Sequence, residues 1–345
     1  MKKRIKHIIY WGIAVIIAVL IVIAAVPLLN AAFSCKKAET GIVNPLSDNS
    51  YEETTEVKVL SYNMAHCRGP YDFYGKTIGL NDLDMDLTIN SAEQVYKCLD
   101  DFAEFIINEK ADIVLLQEVD KDAIWSYGID FMPYLAEKSG LGYYAYGMKH
   151  DFTALPYIRK KADGNRIYRL YYEIGNGILS KYPIVSAENK GYGEKGFTSW
   201  ISGEEKYIGA VVDVKGKDVR VVSTHFGRGG IESKKMIEEA EKSEMPFVFG
   251  GTLHILIPAA RETCSRCSDE YMDAMQNLID SGLFNIYMLG VDALDKKYFT
   301  ADTENLYWTA DYIIPTKDVE IKDYYVGDAG LSDHLPLTAV LEIKS

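Results

Sequence analysis

Cysteine is scarce in this sequence, with five residues in a chain of 345. Five cysteines are too few for a disulfide scaffold, and because their number is odd, at least one thiol stays unpaired in a monomer. Cys264 and Cys267 have the spacing of metal ligands. A zinc site needs two further ligands and no second pair follows, so a surface disulfide or two free thiols are favoured over zinc. Cysteine chemistry therefore does not organise the fold.

The sequence also lacks an excess of positive charge, internal repeats and, after Glu56, any Pro- or Gly-rich break. Its 48% hydrophobic and 25% charged residues are typical of a globular protein, which excludes disordered and collagen-like chains. The formal net charge is −13, and the body is more acidic still because a basic cluster opens the chain. An acidic body repels polyanions unless cations intervene, so tight nonspecific binding of nucleic acid is disfavoured.

One uncharged apolar run, residues 8–29, follows a basic segment at residues 1–7. The run is long enough to cross a bilayer as a helix. Because the basic residues precede it, we expect them to stay cytoplasmic and the body to lie outside the cell, on a single-pass anchor in the cell membrane. Residues 30–55 are rich in Asn, Ser, Thr, Asp and Glu and are predicted to be a linker.

Cleavage of this segment is the alternative. A signal peptide has a shorter apolar core than residues 8–29 and ends in a small-x-small site, which is not well formed around Asn30, Ala31 and Ala32. Cys35 suggests a lipoprotein, but the three residues before it fit a lipoprotein signal poorly. The sequence therefore favours an uncleaved anchor over a signal peptide or a lipid-modified cysteine.

Strand-like and helix-like segments alternate over residues 56–345, which predicts one domain that mixes helices and strands, an α/β or α+β fold. Helices are predicted at 92–108, with Ser91 as N-cap, and at 272–283, whereas 68–90 is predicted to be a long surface loop. Short apolar or β-branched runs predict strands at 57–62, 113–116, 177–179, 219–223, 247–249, 312–314 and 337–343.

Polar residues follow these strands, where side chains can converge at one edge of a sheet. Each residue alone has an ordinary explanation, since a carboxylate after a strand is usually a solvated edge and a lone histidine is usually structural. Together they supply oxygen ligands suited to Mg²⁺, two imidazoles for proton transfer and amide donors for a phosphate. The residues are Asn63, Glu118, Asn176, His225, Asp311, Asp333 and His334.

Two segments, residues 113–119 (Ile-Val-Leu-Leu-Gln-Glu-Val) and 332–336 (Ser-Asp-His-Leu-Pro), are specific in order and context. On these motifs, residues 56–345 resemble the endonuclease/exonuclease/phosphatase superfamily, the deoxyribonuclease I-like proteins. The resemblance implies a four-layer sandwich of two mixed β-sheets flanked by helices. It also implies phosphodiester hydrolysis with Mg²⁺ or Mn²⁺, and we expect a monomer.

The resemblance assigns a role to each strand-end residue. Glu118 would ligate the divalent ion, Asp333 would lie beside it, and Asn63 would contact metal or phosphate.

Proton transfer and phosphate binding fall, by the same resemblance, to the remaining residues. His334 would be the general base, and Asp311 would fix its tautomer. His225 would stabilise or protonate the phosphoryl oxygens, while Asn176 would contact the phosphate or shape its strand.

One family motif is altered. Where the family has Gly-Asp-Phe-Asn, this chain has Gly251-Thr252-Leu253-His254, so Thr252 replaces the acid and His254 replaces the amide. A hydroxyl supplies no negative charge to position water or hold a metal, which predicts a loss of order 10²-fold or more in rate. His254 can still donate to a phosphate.

Two functions of different classes therefore stay open. The first is a metal-dependent phosphodiesterase with impaired activity, acting on a phospholipid headgroup or small phosphodiester in preference to nucleic acid. The second is a catalytically silent module that binds a phosphorylated ligand or a partner protein. A purely structural surface protein is a third reading, disfavoured by the retained residues at the strand ends.

Overall fold

Two β-sheets packed against each other form the centre of the protein in a computed structural model. The structure describes residues 2–33, 38–43, 56–68, 91–123, 125–154, 159–160, 166–167, 170–193, 205–227, 230–258, 260, 269–301, 303 and 306–343. The predicted loop at 68–90, except for Arg68, lies outside these residues, as do Cys35, Cys264 and Cys267.

The first sheet has seven strands in the order β1-β4-β7-β3-β2-β14-β13, and only β2 and β3 run parallel. Its strands are β1 (Glu39–Ile42), β2 (Glu56–Asn63), β3 (Ile113–Lys121), β4 (Tyr143–Ala154), β7 (Leu170–Ser180), β13 (Val319–Val326) and β14 (Leu337–Ile343). β5 (Arg159–Lys160) and β6 (Arg166–Ile167) form a separate two-stranded ribbon.

The second sheet has five strands in the order β12-β11-β10-β9-β8, and only β10 and β11 run parallel. Its strands are β8 (Ile184–Gly191), β9 (Lys206–Val214), β10 (Lys217–His225), β11 (Phe247–Thr252) and β12 (Asp311–Pro315). Both sheets are therefore mixed, as the family resemblance implies.

Alternating apolar residues give the first sheet two buried faces. In β3, Leu115 packs between the sheets, whereas Leu116 packs on the outer helices. Helices α2 (Ala92–Glu109) and α3 (Phe131–Ser139) cover that outer face, while α4 (Gly230–Lys242) and α5 (Asp269–Ser281) pack on the second sheet. The predicted fold class, two mixed sheets flanked by helices, is confirmed.

A capping residue explains why helix α2 was predicted correctly. The Ser91 Oγ accepts a hydrogen bond from the Gln94 backbone N at 3.3 Å, so Ser91 caps α2 as predicted. The second predicted helix corresponds to α5, which begins three residues earlier than its periodicity indicated.

The N-terminal helix α1 (Lys2–Phe33) contains a segment, Arg4–Val26, with a mean hydropathy of 2.9 and no burial against the rest of the protein. By length and composition this segment can cross a membrane, although a signal sequence shares these properties. Strand β1 lies inside the predicted linker and pairs with β4, so part of that segment belongs to the first sheet.

Candidate active site

Strand register brings the predicted polar residues to one edge of the two sheets. Asn63 and Gln117 are paired at the carboxyl ends of the parallel strands β2 and β3. On the second sheet, His225 is paired with Thr252, which is paired in turn with Asp311. A Cβ at Gly251 would lie 1.8 Å from the Thr224 carbonyl oxygen, so only glycine permits this approach of β10 and β11.

A buried aspartate–histidine pair lies at the start of β12. The Asp311 Oδ2 and the His334 Nδ1 are 2.7 Å apart, and Asp311 is 1% exposed. Burial opposes the imidazolium, but the Asp311 carboxylate outweighs it and raises the pKa of His334 to about 9. Burial also opposes the Asp311 carboxylate, while His334 and the hydroxyls of Thr300 and Thr252 hold its pKa below the usual range.

Thr252, at the altered motif position, links the two sheets. Its hydroxyl donates to the Asp311 Oδ1 at 2.8 Å and accepts from the Asn63 Nδ2 at 3.1 Å. The hydroxyl is fully buried and adds no charge. A neutral group therefore occupies the position at which the family motif has an acid.

Glu118 is the carboxylate at the end of the first sheet. A bulge between Leu116 and Val119 interrupts its pairing with β7, and Glu118 itself has a φ of +52°. Its Oε1 accepts from the Asn63 Nδ2 at 3.3 Å and lies 3.7 Å from the His225 Nδ1. Burial opposes its charge, but His66, His334 and Asn63 outweigh burial and lower its pKa.

The described side chains fit Mg²⁺ or Mn²⁺ only if water and substrate oxygens complete the coordination shell. Within the described part of the chain, no group of three or more His, Cys, Asp or Glu side chains could hold a metal by itself. Mg²⁺ commonly binds through one or two carboxylates and completes its shell with water and substrate phosphate oxygens. Glu118 provides such a carboxylate, 24% exposed, next to the amide of Asn63.

His225 and His254 form a pair on the second sheet. Their Nε2 atoms are 3.2 Å apart, and the His254 ring stacks on Trp308 with an interplanar angle of 13°. Burial, reinforced by His334, lowers the pKa of His254 to about 4, and burial together with Lys149 and His254 lowers that of His225 well below its usual value. Both rings are neutral at pH 7, so one donates a hydrogen bond to the other.

Asn176 lies apart from this network of side chains, whereas Asp333 is near enough for its charge to help raise the pKa of His334. Asn176 is fully buried in β7, where its Nδ2 donates to the Lys206 carbonyl oxygen at 3.1 Å, which ties β7 to β9. Asp333 is half-buried and accepts from the Ser332 Oγ at 3.2 Å. The network joins Asn63, Glu118, His225, Thr252, His254, Asp311 and His334.

Sequence reasoning missed three residues at this end of the first sheet: Asp120 within β3, His66 after β2 and Trp125 after β3. His66 lies 3.2 Å from Glu118 and 2.6 Å from Asp120, which also accepts from Trp125. The one available signal was Asp120 itself, a charged residue directly after the family-like segment 113–119.

Known protein families provide an independent comparison for this chain. Residues 60–216 match the model of the Endonuclease/Exonuclease/phosphatase family. The resemblance to this family is confirmed. The three activities in the family's description all cleave phosphoric ester bonds. No functionally curated protein matches the sequence.

Solved structures with the same fold include two bacterial proteins described as endonuclease/exonuclease/phosphatase members. The one from Beutenbergia cavernae has a TM-score of 0.59 and 19% identity, covering 84% of this chain and 72% of that chain. The one from Leptotrichia buccalis has a TM-score of 0.53 and 14% identity, covering 83% and 99%. The human Nocturnin catalytic domain has a TM-score of 0.50 and 16% identity, covering 89% and 98%. At these identities the likeness shows the fold alone.

Proposed function

We propose that this chain hydrolyses phosphodiester bonds with the help of Mg²⁺ or Mn²⁺, at a rate reduced by Thr252 and His254. The observation that carries the proposal is the buried Asp311–His334 pair, joined through Thr252 and Asn63 to the carboxylate of Glu118. Members of the family generally depend on a divalent metal. An oriented base and a carboxylate ligand are the two parts that metal-assisted hydrolysis requires.

The residues divide the chemistry between them. His334 accepts the proton of the attacking water, and Asp311 holds the ring through Nδ1 and stabilises the imidazolium that forms. Glu118 and Asn63 would hold the metal, which supplies positive charge against the phosphoryl oxygens. His225 and His254, both neutral, share one hydrogen bond through Nε2, so the ring that accepts it keeps an N–H on Nδ1 to donate to those oxygens. Asp333 lies beside the base in sequence.

The proposed general base, His334, is mostly protonated at neutral pH. Because Asp311 raises the pKa of His334 to about 9, most molecules carry a protonated base at pH 7. We therefore expect the rate of hydrolysis to rise as the pH approaches 9. Since Thr252 adds no negative charge to position the water, a rate of order 10²-fold below that of an intact site is expected.

The substrate is proposed to be the headgroup of a phospholipid or a small phosphodiester. The N-terminal helix would hold the domain beside a bilayer, outside the cell, and the net charge of −13 disfavours nonspecific nucleic acid. We also propose that the protein is a monomer. Nucleic acid remains a substrate to test, because the family description includes nucleases.

The test is an activity screen of the full chain in detergent micelles across DNA, RNA, sphingomyelin, inositol phospholipids and a chromogenic diester. The full chain is needed because β1, ahead of Glu56, is a strand of the first sheet. Slow turnover with Mg²⁺ or Mn²⁺ that stops with a chelator supports the proposal. Turnover that is unchanged by the chelator contradicts it.

Anchoring has its own test. The full chain should sediment with membranes and be released only by detergent, and external protease should remove the body. Recovery of a soluble form that begins near Ala31 or Cys35 as the main species would replace the anchor by a cleaved signal.

A silent binding module is the second candidate, and the bridging hydroxyl of Thr252 favours it. Because Thr252 engages both Asn63 and Asp311, its position is a satisfied part of the buried network. Saturable binding of a phosphate ester without turnover, at every pH and with every metal, would establish this candidate over the first.

A further inference from the structure

A second buried aspartate lies at the end of β3, two residues after Glu118. Asp120 is fully buried, and each of its oxygens has a partner: the His66 Nδ1 lies 2.6 Å from Oδ1, and the Trp125 Nε1 donates to Oδ2 at 2.6 Å. Two partners in fixed directions hold the carboxylate, and the carboxylate in turn holds the His66 ring.

The other nitrogen of His66 faces Glu118. Its Nε2 lies 3.2 Å from the Glu118 Oε2, so the imidazole stands between two carboxylates. An imidazole can donate to both carboxylates only when both of its nitrogens are protonated.

The two oxygens of Glu118 therefore have different surroundings. Oε2 faces His66, whereas Oε1 faces the amide of Asn63 and lies 3.7 Å from the His225 Nδ1. The His225 Nδ1 is buried and has no hydrogen-bond partner among the described residues. Only the Oε1 side belongs to the network that contains the base and the histidine pair.

An unusual turn carries His66 to this position. Ala65, His66 and Cys67 have φ values of +44°, +56° and +59°, three left-handed residues in succession directly after β2. Residues other than glycine rarely adopt this region, and such conformations persist where the surroundings fix them. The contacts of His66 with Asp120 and Glu118 are surroundings of that kind.

We propose that His66, held by Asp120 and Trp125, is a positioning residue that fixes the Glu118 carboxylate and leaves Oε1 to bind the divalent ion. The inference rests on the proposed function, because it assumes that Glu118 ligates a metal. Groups that orient a metal-ligating carboxylate typically contribute 10- to 100-fold to metal affinity. His66 makes no contact with substrate in this account, and its whole effect passes through Glu118.

Two variants of equal polarity separate positioning from simple packing. In His66→Asn, the amide takes the place of Nδ1 and can reach Asp120 but not Glu118. In His66→Gln, the amide takes the place of Nε2 and can reach Glu118. We expect His66→Asn to weaken Mn²⁺ binding by 10- to 100-fold and His66→Gln to restore most of it, measured by titration of the full chain in detergent.

Controls make the result specific. Trp125→Phe keeps an aromatic side chain but removes the donor to Asp120, and a smaller loss of Mn²⁺ affinity is expected. His150→Ala removes a histidine that faces Glu205 rather than Glu118, and Mn²⁺ affinity should match that of the parent. Thermal melting in the absence of metal confirms that each variant is folded.

The possible outcomes lead to separate conclusions. Equal Mn²⁺ affinity in the parent and in His66→Asn overturns the inference, and so does a parent that binds no Mn²⁺. A weaker affinity in His66→Gln than in His66→Asn also overturns it, because the reach to Glu118 would then not matter. The expected order of affinities in a protein that hydrolyses nothing supports the inference and overturns the proposed function.

Discussion

Two aspartate–histidine pairs lie on opposite sheets of this site and share one design. In each pair the aspartate is buried and lies within 2.7 Å of the Nδ1 of the histidine: Asp120 with His66, and Asp311 with His334. Each aspartate also accepts a hydrogen bond from a supporting donor, which is Trp125, just after β3, for Asp120 and Thr252 of β11 for Asp311. In both pairs the hydrogen bonds offset the cost of burying the aspartate and orient the ring.

The pairs differ in the residue that donates the supporting hydrogen bond to the aspartate. Trp125 is an indole that donates one hydrogen bond and packs within 5.9 Å of the His66 ring. Thr252 stands where the family motif has an acid, so the second pair has lost a negative charge from its neighbourhood. On the proposed function, the side that would hold the metal keeps its carboxylate, whereas the side that would position the water has an altered motif.

The largest expected effect separates the two histidines by role. We predict that His334→Ala lowers the rate of hydrolysis by about 10²- to 10⁴-fold, because it removes the general base. His66→Ala should cost only about 10- to 100-fold, and excess Mn²⁺ should recover part of that loss. Initial rates over a range of Mn²⁺ concentrations measure both effects. Recovery of His334→Ala by excess metal would contradict this division of roles.

Restoring the family motif should repair the altered side. We predict that Thr252→Asp combined with His254→Asn raises phosphodiesterase activity by roughly 10²-fold, the contribution of one positioned catalytic group. Neither change alone should suffice. The acid alone would leave the ring of His254 where the family motif has its phosphate-binding amide, and the amide alone would leave the water unpositioned.

The gain must depend on the rest of the site. Adding His334→Ala or Glu118→Gln to the double variant should abolish it. A parent that already matches the double variant in rate would show that Thr252 is tolerated. A folded but inert double variant would favour the binding module.

The two supporting donors can be compared by stability. We predict that Trp125→Phe lowers the free energy of unfolding by about 1.5–3 kcal/mol, since it removes a hydrogen bond to a buried carboxylate while keeping a smaller aromatic ring. Thr252→Val, which removes the donor to Asp311, should cost a similar amount. Denaturant unfolding of the domain measures both changes. No change in either variant would show that the aspartates do not need these donors.

The smallest expected effect is a shift in the pKa of His334. The pKa of the His334 imidazole, about 9 in the parent, should fall toward its ordinary value of 6.5 in Asp311→Asn, as followed by nuclear magnetic resonance. Because the folded pKa is raised, the pair stabilises the fold below pH 6.5, and this stability is lost as the pH rises to about 9. An unchanged titration in Asp311→Asn would exclude Asp311 as the cause.

Sequence patterns predicted the fold where a strand is short, apolar and buried on both faces. Strand β3 begins at the predicted residue, and β14 has the predicted bounds at both ends. Strand β4 was missed because its first half is rich in tyrosine and its second half is polar, so neither half alternates clearly. Strand β1 was missed because it is four residues of an edge strand within a polar segment.

The site was predictable to the extent that it follows strand ends. Asn63, His225 and Asp311 were found because each ends or begins a strand, and register brings such residues together. Glu118 was found because it follows the apolar run at the start of β3. His66 was not found, because its position depends on three left-handed residues that carry no glycine signal. Asn176 follows the same strand-end pattern but is buried under β9, which sequence alone does not indicate.

The most direct test of the account is the rate at which the parent and Glu118→Gln hydrolyse a chromogenic phosphodiester at pH 9, with Mg²⁺ and with chelator. We predict slow, Mg²⁺-dependent turnover by the parent, and loss of that turnover both in Glu118→Gln and in the presence of chelator. Equal turnover by the two proteins, or turnover that persists with chelator, would contradict the assignment of Glu118 as the metal-holding carboxylate of a phosphodiesterase.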